Sequence, residues 1–516
     1  MGMARKEYDM YTKPLYLNKK QGYLLLDEHI VASSENCVLL PKCPVKDPAN
    51  PIIVKTQDWE GWGPYLVAGK DIVWFPEEQL YRFYYIAFGM YFYRDGYVES
   101  KDCLNWYKPP REQTENHPRF SFDPFAECPA DEKYKSFGFS QKDIGNNKRY
   151  YYNYVHYSSD GFNISKTEQY DAFTSDINDW YFDSNLNKYV LYYKLWKLTC
   201  FEKDDTAPNG MREAEHYAIG FDCTEIDGGW TEIDGTFVVF DGKGGSVSVD
   251  KKICIKSNVT AADDGGGGFL SGAWYTKRVV CRAVSTDMVH WTEKSVVLEA
   301  DELDRPTANI QGLRAFPMGG YYLAYVPIHD ERGYIELQLA FSSDGIHWKR
   351  PWRHMFIGRG PENKFDGGMV PMAATPVIHD TQMIIYYGAL SAKHADDTGF
   401  NGIGRVSMRR VGFACQTACE KKTAVLETVA LPKKQRELCL NADSEGGEIT
   451  VALLDEKGNV ISGYTHENCI PINEDSASYG DCYIPVRWKG MEPLPDIDLV
   501  KVQLRFSNAD IYSILI

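Results

Sequence analysis

Little in this chain ties it to a membrane, a nucleic acid or a cofactor. No apolar run approaches the roughly 20 residues that span a bilayer, and no long amphipathic helical pattern runs through the 516 residues. Positive charge is short: 56 Lys and Arg stand against 72 Asp and Glu, a formal net charge of −16. Phosphate backbones and anionic headgroups are held by basic surface, so this balance argues against both as partners. The phosphate-cradling G-x-x-x-x-G-K, the dinucleotide fingerprint, the zinc-binding H-E-x-x-H, the paired Cys/His spacing and the G-x-S-x-G elbow are all missing. No cofactor and no metal are therefore expected. The 13 cysteines are an odd number without a C-x-x-C pair, and Met1 to Lys6 open no apolar signal core. Reduced thiols in a cytoplasmic protein are the simplest expectation. Oligomeric state is left open, a homo-oligomer included.

What the chain has is aromatic residues and a repeat. Aromatics make up 14%, with 35 Tyr and 12 Trp, and they favour strands. One phrase occurs four times: Ser-x-Asp, three residues, then a bulky apolar residue. Its copies are Ser100 to Asp102 with Trp106, Ser158 to Asp160 with Ile164, Ser285 to Asp287 with Trp291, and Ser342 to Asp344 with Trp348. The aspartates lie 58, 127 and 57 residues apart. A fixed period marks a repeat architecture, and the long interval is one period plus an insertion of roughly 69 residues.

Near these phrases lie five hairpin patterns, each a strand, a polar turn and a strand rich in tyrosine, such as Tyr84-Tyr85, Tyr192-Tyr193 and Tyr386-Tyr387. Five small sheets in radial repetition make a β-propeller. The expected fold is all-β: a five-bladed propeller over 41–415, with an insertion at about 200–275, followed by a small antiparallel β-sandwich over 416–516. The strands of 1–40 complete the last blade or join the sandwich. In this reading Ser-x-Asp is a tight turn after the third strand of a blade, bonded to backbone amides, and the following Trp packs between blades. Within the insertion, Thr224 to Gly228 and Thr231 to Gly235 read as a local hairpin. Whether the insertion shapes a cleft or is decoration stays open.

The innermost strands of a propeller line a central funnel, so polar residues just upstream of each hairpin converge. Glu60 in blade one, Asp123 in blade two, Asp176 and Asp179 in blade three and Asp366 in blade five form an acidic set. Gln311 stands at the matching place in blade four. Carboxylates in an aromatic-lined pocket suit cleavage of a glycosidic bond: one carboxyl protonates the leaving oxygen, and an ionised one activates water or attacks the anomeric carbon. Glu60, Asp123, Asp176 and Asp366 are the catalytic candidates. His329, Gln311, Trp59, Trp62 and Asp179 are the candidate substrate contacts. Arg278 and Arg282 read as surface positions beside the third blade, with a contact to phosphate or a sugar carboxylate left open.

The phrases Ala340 to Trp348 and Arg282 to Trp291 resemble the blade signature of five-bladed propeller glycoside hydrolases, families 32, 43, 62, 68, 117 and 130. The segments at Trp59-Glu60-Gly61, Asp176-Ile177-Asn178, Asp366 to Met369 and Tyr386-Tyr387-Gly388 resemble a bacterial group described as family-32-like or family-43-like, which also ends in a sandwich. The resemblance implies a glycosidase acting on an oligosaccharide or glycoside. Those families place a nucleophile or base Asp in blade one, a pKa-modulating Asp in blade two and an acid Glu in blade three. Asp123-Pro124 resembles the blade-two motif with Phe122 in place of its Arg. Blade three offers Asp176 or Asp179 rather than Glu, and the blade-one Asn-Asp-Pro-Asn phrase is absent. A phosphorylase of the family 130 kind, a non-catalytic sugar-binding propeller and a metal-dependent enzyme using His329 are the rival expectations.

Overall fold

The computed structural model describes residues 21–516 apart from 76, 90–91, 111–117, 123–128, 146–147, 257–274, 331, 395, 397–398, 445, 477–481 and 492–493. Strands dominate, and the only helical turns among the described residues are Asp58–Glu60 and Ala130–Glu132. No helix among them is long and apolar enough to cross a membrane.

Strand pairing divides the middle of the chain into five antiparallel units. The first sets Gly63–Tyr65 and Ile72–Phe75 against Leu80–Gly89, then Phe92–Ser100. The second orders Ser121–Phe122, Tyr134–Gly145, Lys148–Ser158 and Lys166–Asp171. The third runs Asn178–Asp183, Lys188–Lys203, Tyr275–Ser285 and Thr292–Leu298. The fourth has Asn309–Ile310 and Arg314–Met318 against Tyr321–His329, then Ile335–Ser342. The fifth has Met369–Ala373 and Val377–His379 against Gln382–Leu390, then Asn401–Arg409. Val45–Lys46 adds the outer strand of this last unit, so the N-terminal part of the chain closes the ring. The tyrosine hairpin sits one place further out in the second unit, because its innermost strand is only Ser121–Phe122, too short to show as a pattern in sequence.

Each Ser-x-Asp phrase caps the third strand of its unit. Ser342 Oγ accepts the amides of Asp344 and Gly345 at 3.2 and 2.9 Å and donates to Asp344 Oδ1 at 2.9 Å. Asp344 Oδ1 then accepts the amides of Ile346 and His347, each at 2.8 Å. The same bonds recur at Ser100/Asp102, Ser158/Asp160 and Ser285/Asp287. Burial works against these carboxylates, but the amide and side-chain bonds outweigh it and hold Asp160 and Asp287 at about 2.

The turns aim aromatic rings at the neighbouring unit. Trp106 packs on Tyr386 of unit five at 5.6 Å, Trp291 on Phe137 of unit two at 5.3 Å, and Trp348 on Tyr192 of unit three at 5.9 Å. The second copy departs from the expectation. Ile164 is exposed, and Phe162 instead meets Tyr97 of unit one at 6.3 Å. Units four and five join through the parallel pairing of Ile335 with Met369. Each unit thus touches the next, and the fifth touches the first.

At the axis a buried hub ties the units together. Arg314 of unit four donates to Asp179 of unit three at 2.8 and 3.1 Å and to the Ala373 carbonyl of unit five at 3.2 Å. Its guanidinium also lies 3.5 Å from Asp71 of unit one, which accepts the amide and hydroxyl of Thr375 at 3.0 and 2.6 Å. Arg119, just before unit two, donates to the carbonyls of Gly69 and Trp180 at 3.3 and 3.1 Å and lies 3.7 Å from Asp179. Two cations and two carboxylates balance there.

The remaining strands form two packed sheets. One joins Tyr23–Leu24 and Cys37–Pro41 with Ala414–Ala418, Asp510–Leu515, Cys439–Asp443 and Tyr483–Pro485. The other joins Val31–Glu35 with Ala424–Thr428, Leu499–Ser507, Leu431–Pro432 and Glu448–Leu454. Three N-terminal strands therefore enter the sandwich while Val45–Lys46 completes the last unit.

Ser342→Ala leaves two amides of a tight turn without their acceptor, which costs about 1–3 kcal/mol and lowers the urea midpoint accordingly. Because the turn aspartates have folded pKa values below their unfolded value of about 4, their contribution is full above that pH and is lost as pH falls from about 4 towards 2. Arg314→Met strands two buried carboxylates and costs about 3–5 kcal/mol, the larger of the two losses on the same denaturation assay.

Candidate active site

Immediately beside the hub, all five units line one cavity of about 530 Å³, within the range of about 300–1,000 Å³ usual for small-molecule sites. Unit one contributes Tyr65, Val67 and Ala68; unit two Phe139, Ser140, Gln141, Arg149 and Tyr151; unit three Asp176, Ile177, Lys194, Trp196 and Arg278; unit four Gln311, Pro327 and Ile335; unit five Pro371, Met372 and His394. The placement follows from chain adjacency. Ala68 precedes Gly69, Asp176 stands three residues before Asp179, Gln311 three before Arg314, and Met372 precedes Ala373. The inner strands that meet in the hub carry the cavity wall.

The charged wall is built on one face of unit three. Lys194 and Trp196 are two apart on a strand, so they share a face. Arg278 is the cross-strand partner of Trp196 and lies over its ring at 4.5 Å. Lys194 Nζ meets Asp176 Oδ1 at 2.7 Å. Lys194 is buried, whereas the Asp176 side chain is 64% exposed, opening into the cavity while ringed by protein. Burial works against the charged form of Asp176, but Lys194, Arg278 and a Ser175 hydrogen bond outweigh it and lower its pKa below the ordinary aspartate value. Burial also lowers the pKa of Lys194, opposed by Asp176 and aided by Arg278.

Of the expected site residues, the structure brings Asp176 and Gln311 to the cavity. His329 stands behind the wall, fully buried, with Arg278 NH1 at 2.6 Å from its Nδ1. A guanidinium only donates, so Nδ1 is the acceptor and the proton sits on Nε2. Burial and the Arg278 charge hold His329 at about 2, so it is neutral, a positioning partner of Arg278 rather than a rim contact. Among the described residues no three His, Cys, Asp or Glu side chains gather as metal ligands.

Among the described residues, the other expected site residues do not line the cavity. Glu60 is fully buried away from the cavity, accepting the amides of Thr56 and Gln57 at 2.9 Å, the Tyr85 hydroxyl at 2.7 Å and the Lys108 ammonium at 2.6 Å. It belongs to the turn Asp58–Glu60, ahead of the inner strand, and the lining residues of that unit are Tyr65, Val67 and Ala68. Asp366 is buried against Lys46 at 2.6 Å and the Tyr387 hydroxyl at 3.0 Å, where it pins the closing strand. Asp179 is taken by Arg314 in the hub. Trp59 stacks on Tyr85, and neither it nor Trp62 lines the cavity; the aromatic wall comes from Tyr65, Phe139, Tyr151, Trp196 and Phe221. Asp123 lies outside the described residues. Arg278 and Arg282, read as surface residues, are both buried, and Arg278 lines the cavity.

Lys194 was the missed residue, and it had a signal. It follows the pair Tyr192-Tyr193, where the pairs of units one, four and five are followed by Ile86, Leu323 and Gly388; a charge at an uncharged place in a repeat is a departure with a cause.

The insertion forms Met211–Ile226, Trp230–Phe240 and Ser246–Lys256, paired in succession and onto the long strand Lys188–Lys203. It is no mere decoration: Ile219, Gly220 and Phe221 line the cavity. A Cβ on Gly220 would stand 2.4 Å from the Tyr151 hydroxyl, so only glycine lets the insertion approach unit two this closely. Arg149, Tyr151, Gly220 and Phe221 are shared with an adjoining chamber of about 480 Å³, where Asp222, Glu232, Asp234 and Asp250 add acidic walls.

No family model and no curated protein matches this chain. Solved structures resemble it distantly. An N-acetylgalactosamine deacetylase from F. plautii, in complex with blood group B trisaccharide, is 13% identical with a TM-score of 0.36, over 72% of this chain and 96% of its own. An α-L-arabinofuranosidase from Podospora anserina in complex with cellotriose is 9% identical with a TM-score of 0.32, over 72% and 98%. A family 32 β-fructofuranosidase from Bombyx mori is 9% identical with a TM-score of 0.28, over 92% and 94%.

Glu60→Ala separates a structural role for this residue from a catalytic one. It leaves the buried Lys108 ammonium without its carboxylate and costs about 3–5 kcal/mol, read by chemical denaturation, while turnover per folded molecule is unchanged. Loss of turnover in the folded variant would return Glu60 to the site.

Proposed function

We propose that the protein cleaves a glycosidic bond in an oligosaccharide or glycoside bound in the axial cavity. The observation that carries this reading is Asp176: one accessible carboxylate, in a cavity lined by all five units whose wall also includes the aromatic side chains of Tyr65 and Trp196. Aromatic faces pack against the apolar faces of sugar rings while their polar edges remain available to hydroxyls.

The lowered pKa of Asp176 sets its part. A carboxylate held ionised at neutral pH is the base that activates water or the nucleophile at the anomeric carbon, and the leaving oxygen takes its proton from a second group. Lys194 keeps Asp176 charged and turned to the cavity. Gln311, from the neighbouring unit four, supplies an amide for sugar hydroxyls.

The test is a panel of aryl glycosides and oligosaccharides with the wild type and Asp176→Asn. Removal of a base or nucleophile lowers turnover by about 10²–10⁴ with the circular dichroism spectrum unchanged; undiminished turnover in the variant overturns the assignment. The acid limb of kcat/KM is expected below about pH 4, the ordinary aspartate value, because Asp176 must be ionised in the free enzyme. An acid limb near neutrality contradicts it.

A further inference from the structure

The chain carries a net charge of −16, yet its axial cavity has the opposite sign. Among the described residues that line it, Arg149, Lys194 and Arg278 stand against the single carboxylate Asp176. Two of these cations are buried, Lys194 with its side chain 6% exposed and Arg278 at 4%. Two buried cations thus share one wall of the cavity with one carboxylate, so the field inside it favours an anion. Arg278 is also held in place: Trp196 stacks beneath its guanidinium and His329, a neutral acceptor, takes its NH1. A fixed planar guanidinium next to an ammonium is the arrangement that receives an oxyanion.

We propose that Lys194, Arg278 and Arg149 form an anion subsite in this cavity, taking a phosphate, sulfate or carboxylate group beside the bond that is cleaved. The inference rests on the glycosidic reading for its place in a reaction, but the subsite itself is measured without turnover. The anion has two sources. It is a group on the sugar, a uronate or sulfate ester, or it is free inorganic phosphate. In the second case a phosphate oxygen bonds to the anomeric carbon as the glycosidic C–O bond breaks. The proton of hydrogen phosphate ends on the leaving oxygen, and the products are a sugar phosphate and an alcohol.

The experiment is titration of the full chain with inorganic phosphate, sulfate, glucuronate and neutral glucose at constant ionic strength, read by calorimetry and by tryptophan fluorescence. Saturable binding of at least one anion is expected. Arg278→Gln and Lys194→Met should each weaken it by about tenfold to a hundredfold, the value of a charge-assisted bond. Arg149→Gln, an exposed position, gives a smaller loss without risk to the fold. Phosphate-dependent turnover names free phosphate as the source; turnover of a uronide or sulfated glycoside without phosphate names the sugar's own group. Absence of saturable anion binding, or binding untouched by all three variants, overturns the subsite. Turnover of neutral glycosides that depends on Asp176 but ignores every anion also overturns it and leaves the glycosidic reading intact. Variant-sensitive anion binding with no glycoside turned over supports the subsite and counts against the glycosidic reading alone.

Discussion

The ion cluster around Arg314 is the constraint on which the structure depends. Five sheets packed in a ring meet at a hub where Arg314, Arg119, Asp179 and Asp71 are all buried. Buried polar groups there must satisfy one another. Arg314, with five donors in a rigid fork, takes Asp179 from one neighbour and the Ala373 carbonyl from the other, and stands beside Asp71 from across the ring. Arg119 covers the remaining side. The register of each inner strand is thereby fixed against the others, and so is the position of the residues one to three places along: Ala68, Asp176, Gln311 and Met372. The cavity inherits its geometry from the hub beneath it.

The parts of this fold written as local repeats were legible in the sequence. The Ser-x-Asp phrase is a self-contained hydrogen-bond device, so its four copies declared the third strand of four units. The tyrosine pairs marked the buried second strands of units one, three, four and five. The two-residue inner strand Ser121–Phe122 carries no period and was invisible. The placement of Ile164 failed for a related reason: after Gly161 the chain turns so that Phe162 fills the gap between units, a choice made by packing rather than by spacing.

The site was less legible because proximity in a ring is long-range. Upstream position alone placed Asp176, Gln311, Glu60 and Asp366 as equivalents. Three-dimensional register separates them, since Glu60 lies in a turn ahead of its inner strand and Asp366 ahead of Met369–Ala373. Both are buried carboxylates bonded to a lysine and a tyrosine, and composition cannot distinguish a structural acid of that kind from a catalytic one. The cations were harder still. Arg278 sits on a strand separated by the insertion from its partner strand, and its burial follows from the Trp196 pairing across that gap.

Binding of a saccharide at the axis, where the inner strands converge, is the proposal on which the functional reading turns, and a crystal structure with an oligosaccharide found by the glycoside screen tests it. A sugar ring against the aromatic wall with its anomeric carbon at Asp176 is expected. A saccharide seated instead in the cleft of the sandwich between Arg436, Tyr464 and Trp488, with the axial cavity empty, would contradict it.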